Sequence, residues 1–164
     1  MATDRMKSNE NVYFRARKEA SIYNEKLNSR GNAADIMGIS ESSLADYELG
    51  LTKVVPVDKV VLMADLYKAP WLKSMYCKTE CPIGRGLPMP VESVGVERVT
   101  LQLLHALDDG KIDEVKEDIL RIGLDGKIDE TEICELKDIM SHLDMLSKAI
   151  SELRNICEAT IKKE

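Results

Sequence analysis

Apolar residues recur at helical spacing through almost the whole chain, strand-like alternation is missing, and the helical stretches carry their own start and stop signals. That combination points to an all-α fold. A first helix is expected over residues 11 to 27, where Val12, Phe14, Ala16, Ala20, Tyr23 and Leu27 form an apolar stripe and Arg15, Arg17 and Lys18 stay in water. Ser29 caps a second helix over 30 to 37, which ends at Gly38, since glycine accepts the left-handed conformation of a tight helix-to-helix turn. Ser40 caps a third over 41 to 49, closed by Gly50. Pro56 opens a fourth through Tyr67, with Val57, Val60, Val61, Ala64 and Leu66 as its core side, and Pro70 opens a short fifth containing Trp71, Leu72, Met75 and Tyr76. Met63, Met75, Met140 and Met145 read as core filling.

The stretch "CPIGRGLPMP" concentrates three prolines and two glycines, so residues 81 to 90 are read as a linker between a domain at 1 to 80 and another at 91 to 164. Beyond it, helices are expected over 92 to 107, 113 to 122 and 130 to 161, with the near-repeats "DDGKIDE" (108 to 114) and "LDGKIDE" (124 to 130) as turns. In the last helix Leu136, Ile139, Leu143, Leu146, Ile150, Leu153 and Cys157 follow spacings of 3, 4, 3, 4, 3 and 4, the seam of a coiled coil. Such a seam needs a partner. The preceding helices supply one as an antiparallel hairpin, a second subunit supplies another as a homodimer, and a mixture of the two is expected.

The net charge of -6 argues against a general nucleic-acid coat, but it is unevenly spread. Residues 1 to 60 carry nine basic and nine acidic side chains, 61 to 90 four and two, and 91 to 164 ten and eighteen, so the acid sits in the second domain. The polar start "MATDRMKSNENV" and the lack of any run near the roughly 18 apolar residues of a membrane span suggest a cytoplasmic protein that does not enter membranes. Cys77, Cys81, Cys134 and Cys157 are too sparse for a disulfide framework. The spacing "CKTEC" offers two thiolates where structural zinc needs four ligands. "GLDGKIDETE" (123 to 132) resembles the second half of a calcium loop, with Gly126, Ile128, Asp129 and Glu132 in place, but Arg121 and Gly123 fall where oxygen ligands are required. No cofactor and no metal are expected. His105 and His142 belong to no grouping with a nucleophile, so no enzyme is expected either.

Residues 30 to 53 have the offsets of a helix-turn-helix: small Ala34, turning Gly38, and apolar Ile39 and Leu44. Together with "RARKEA" before it and "VPVDKVVLMADLY" after it, "AADIMGISESSLADYELG" resembles the five-helix DNA-binding domain of phage repressors, the XRE/Cro type, over about residues 11 to 76. The segment "SIYNEKLNSRGN" is longer than that family's usual connection between its first two helices, which suggests an extended first helix. The resemblance implies a lambda-repressor-like domain that binds double-stranded operator DNA as a dimer and represses transcription. It implies that Tyr47 and Glu48 face inward, with Glu48 paired to a first-helix base such as Arg17. It also implies that Glu41, Ser42, Ser43, Ala45 and Asp46 form the groove-facing side of a recognition helix. The family often has Arg or Lys there, whereas here the face is acidic and hydroxylated.

Phosphate contacts are therefore expected from the flanks. Arg30 and Lys53 bracket the face, the helix N-termini at Asn32 and Ser42 add N–H donors, and Arg5 and Lys7 form a loose arm. The alternative is an adaptor or inhibitor that uses this fold and its acidic C-terminal helices to bind a protein. Because neither the cysteines nor the Asp-Gly turns complete a coordination sphere, a strong chelator should leave the thermal unfolding curve of the full chain unchanged. A drop in Tm on chelation, restored by added zinc or calcium, would contradict the reading.

Overall fold

Asn11 starts the first helix as an N-cap: its Oδ1 accepts from the backbone N–H of Tyr13 at 2.9 Å and of Phe14 at 3.3 Å. The computed structural model describes residues 11 to 124 and 128 to 161. Every regular element among them is helical: α1 Val12–Ala20, α2 Arg30–Met37, α3 Glu41–Glu48, α4 Val57–Leu66, α5 Trp71–Thr79, α6 Val96–Ala106, α7 Asp109–Gly123 and α8 Glu132–Ile161. Among the described residues no helix is long and apolar enough to cross a membrane.

α1 ends at Ala20, seven residues short of the expected Leu27. The chain turns at 21 to 24 and re-enters the core through a 3-10 turn at Glu25–Asn28 that delivers Leu27, which is fully buried. Arg17 explains the turn. Its Nη1 donates to the carbonyls of Leu27 at 2.9 Å and Asn28 at 3.0 Å. In a continuous helix those carbonyls would lie about 15 Å further along the axis, out of reach. Tyr23 fastens the same segment from outside by donating its hydroxyl to the Tyr67 carbonyl.

Around this return, α1 to α5 enclose one core that includes Ala16, Leu27, Ala33, Ala34, Leu44, Val60, Met63, Trp71 and Leu72. α4 contributes Val60, Met63 and Ala64, while Val57 and Val61 face solvent, so its buried side is rotated from the expected one. The residues of the expected linker, 81 to 90, fold back on α5. Residues Gly84–Gly86 make a 3-10 turn against α5, Lys78 donates to the carbonyls of Arg85 and Leu87, and Pro90 is buried. Gly84 permits the approach, because a Cβ there would stand 2.1 Å from the Cys77 carbonyl oxygen.

In the second half, "DDGKIDE" is the opening of α7 and not a separate turn: Asp108 caps the helix by accepting from the Lys111 N–H. Part of "LDGKIDE", residues 125 to 127 with Gly126, lies outside the described residues. α6 and α7 run end to end along α8 in the opposite direction. Gly95 and Val96 share a groove with Glu152, Asn155 and Ile156. His105 and Asp108 sit beside His142 and Met145, and Arg121 reaches Glu135 at 3.0 Å. Two arms bury little. Val99, Ala106, Val115, Ile122, Ile139 and Ala149 are covered, while Met140 and Met145 are exposed.

The seam of α8 is split by this arrangement. Ile139 is buried and Leu136 and Leu146 are half-buried, but Leu143, Ile150, Leu153 and Cys157 are exposed. In their place the inward side of α8 carries His142 and Glu152, whose buried Nε2 and Oε2 have no hydrogen-bond partner among the described residues.

Deep in the N-terminal core, Arg17 Nε and Nη2 donate to the two carboxylate oxygens of Glu48 at 2.5 and 2.9 Å, and both side chains are inaccessible to water. Removing Glu48 strands the charge of Arg17 in a low-dielectric site, and removing Arg17 leaves the buried Glu48 carboxylate with one guanidinium bond, from Arg30, in place of three. Arg17→Ala should therefore cost about 3–5 kcal/mol in urea unfolding, while the double change Arg17→Met with Glu48→Leu should cost markedly less. Equal losses in the two proteins would show that the pair's charge is not what the core depends on.

Candidate nucleic-acid interface

α2 and α3 are joined by three residues whose geometry follows from the sequence. Gly38 adopts φ +65° at the end of α2, its N–H bonds back to the Ala34 and Asp35 carbonyls, and the Ile39 N–H also reaches Ala34. Ser29 Oγ accepts from the Asn32 N–H at 3.4 Å, and Ser40 Oγ accepts from the Ser43 N–H at 3.1 Å, so each helix begins on a serine cap. Ala33, Ala34 and Leu44 are fully buried where the two helices meet, and Ile39 packs against them.

That packing fixes which side of α3 faces out. Glu41, Ser42 and Asp46 are exposed, and Ser43 and Ala45 are half-exposed. Ser40 Oγ lies 3.0 Å from Ser42 Oγ and 2.8 Å from Ser43 Oγ, which makes a hydroxyl cluster at the start of the helix. Past α3, Gly50 takes φ +67° and the chain folds back so that the Leu51 N–H bonds to the Asp46 carbonyl at 2.9 Å. Lys53 is exposed just beyond, at a cleft it shares with Asn11, Tyr47 and Glu80.

Glu48 lies on the opposite, inward side of α3 and is completely buried. Besides Arg17 it accepts from Arg30 Nε at 2.9 Å, so one carboxylate joins the middle of α1, the start of α2 and the end of α3. Burial opposes the charge of Arg17, but the hydrogen bond and the negative charge of Glu48 outweigh it and hold the guanidinium pKa above its ordinary value. Asn11 adds a second tie between α1 and α3 by donating Nδ2 to the Tyr47 carbonyl at 3.0 Å.

The flanking groups differ in kind. Lys53 is free among the described residues, whereas Arg30 is half-buried and has one edge committed to Glu48, leaving its Nη groups for a further contact. Asn32 is exposed at the first turn of α2. Over the same turn lies Glu41, whose Oε2 would be 3.2 Å from a Cβ on Gly31, so a carboxylate of the chain itself stands near the N–H groups that would receive a phosphate. Neither the Arg30–Glu48 bond nor the Glu41–Gly31 contact was legible in the sequence, because both join residues that local spacing does not relate. Arg5 and Lys7 lie outside the described residues.

Gly38 has open space where a Cβ would go, so only its positive φ resists substitution. Gly38→Ala should destabilise the chain by about 1 kcal/mol, and Gly38→Asn by less, because asparagine tolerates the left-handed conformation better. Denaturant midpoints at constant m-value check this ordering, and an unchanged midpoint for the alanine variant would remove the turn's special role. Compared with known proteins, the chain matches no family model, no curated protein and no solved structure.

Proposed function

We propose that the chain is a sequence-specific DNA-binding transcriptional regulator, acting as a repressor by occupying operator DNA as a dimer. One observation carries the reading: two serine-capped helices cross at a left-handed glycine and are tied to the core through Glu48, which turns a short helix outward by the face bearing Ser42, Ser43, Ala45 and Asp46. A helix held from behind in this way can enter a major groove as a rigid reader. The serine hydroxyls donate and accept at base edges, and Glu41 and Asp46 accept from cytosine N4. Lys53 and the uncommitted edge of Arg30 provide phosphate contacts, few in number, so binding depends on selectivity more than on charge.

A second reading keeps the fold and changes the partner. Glu41 over the first turn of α2 resists a phosphate there, and the excess of acid in residues 91 to 164 suits a basic protein surface. In that case the protein is an adaptor or inhibitor and binds no duplex.

Binding titrations on selected and scrambled duplexes at two salt concentrations separate the two readings. Lys53→Ala should weaken binding to all duplexes alike and lower the salt slope by about one counterion. Asp46→Asn and Glu41→Gln should change the preferred base at one position, with unchanged or tighter binding overall, because each removes a repulsive charge and an acceptor. Wild-type protein that binds no duplex at low salt would leave the adaptor reading in possession.

A further inference from the structure

α8 has two apolar faces, and the hairpin covers one. Ile139, Ala149, His142 and Glu152 lie under α6 and α7. On the other side Ile133, Met140, Leu143, Ile150, Cys157 and Ile161 are exposed along the length of the helix. With half-buried Leu136, and with Ser147 and Arg154 completing the row, these positions follow spacings of 3, 4, 3, 4, 3, 4, 3 and 4 from 133 to 161. An apolar row of this length standing in water is a helix surface with room for a second neighbour.

We propose that a second copy of this chain docks on this face of α8, the two α8 helices antiparallel about a twofold axis at Ser147. The row supports this orientation residue by residue. Turned end for end about Ser147, Leu143 meets Ile150, Leu136 meets Cys157 and Ile133 meets Ile161. The hydrocarbon stem of Arg154 lies on Met140, and Lys137 on the flank comes beside Glu158 of the second copy. A parallel pair in register sets Arg154 against Arg154 within the seam. It also stacks like on like along the helix. Residues 132 to 146 of α8 carry Glu132, Glu135, Asp138 and Asp144 against Lys137, a net of 1 − 4 = −3, whereas 147 to 161 carry Lys148 and Arg154 against Glu152 and Glu158, a net of 2 − 2 = 0. Antiparallel docking places the acidic half on the neutral half.

The orientation also sets where the N-terminal domains leave the pair, a point that rests on the DNA-binding reading above. Gly95 and Val96, at the start of α6, lie beside Glu152 to Thr160 of α8, about nine residues from Ser147. At 1.5 Å per residue the two exits stand roughly 30 Å apart along the helices, close to the 34–36 Å between successive half-sites on one face of B-DNA.

The test uses the full chain without DNA. Sedimentation should show a dimer at tens of micromolar that becomes monomer in Leu143→Glu and in Ile150→Glu, both changes at exposed positions. In Leu136→Cys under mild oxidation, peptide mapping should find the introduced thiol joined to Cys157 of the other copy. A wild-type monomer at that concentration overturns the pairing, and a Cys157 to Cys157 linkage overturns its orientation. Because neither readout involves DNA, failure here and failure of the duplex titration are distinguishable.

Discussion

A single buried carboxylate organises the N-terminal domain. Glu48 is inaccessible to water and accepts from Arg17 through two nitrogens and from Arg30 through a third. A carboxylate without these donors would not tolerate that site, and neither would Arg17 without the carboxylate. The arrangement therefore demands that α1, α2 and α3 be docked together or not at all. Arg17 extends the same demand to the segment after α1, since it also holds the Leu27 and Asn28 carbonyls. A buried ion pair adds little net stability compared with a well-packed apolar pair. What it contributes here is a fixed orientation of α3, and the outward face of that helix depends on it.

That face is unusual in its chemistry. Its exposed groups are carboxylates and hydroxyls, and of the two expected flanking cations one, Arg30, is shared with the core. Under the DNA-binding reading proposed above, acid on this face and few cations beside it would make nonspecific attraction to a polyanion weak and leave base-edge complementarity a larger share of the affinity. Glu41 stands over the first turn of α2 and brings a negative charge to that helix end from within the chain.

The C-terminal unit is governed by an opposite circumstance, a shortage of core. α6 and α7 form one arm and α8 the other, and a single arm cannot cover a helix that is apolar on two sides. The side that is covered includes His142 and Glu152, while Leu143 and Ile150 remain in water. In a complete bundle each apolar row of a central helix has its own neighbour. This unit supplies one neighbour and leaves the other row exposed among the described residues.

By itself the sequence determined the all-helical class, the serine caps at Ser29 and Ser40 and the left-handed stop at Gly38, while the pairing of Glu48 with a first-helix base such as Arg17 is an expectation whose geometry the structure contains. The caps and the stop are set by backbone groups within a few residues, so local pattern suffices to find them. Tertiary structure alone decided that α1 stops at Ala20, that Arg30 serves Glu48, and that Val57 and Val61 face out. Tertiary structure also divided the α8 seam, covering Ile139 and leaving Leu143, Ile150, Leu153 and Cys157 exposed. Heptad spacing states that a row of side chains wants a partner, but every helix within reach competes for it, and which rows are covered depends on how the arms meet in space.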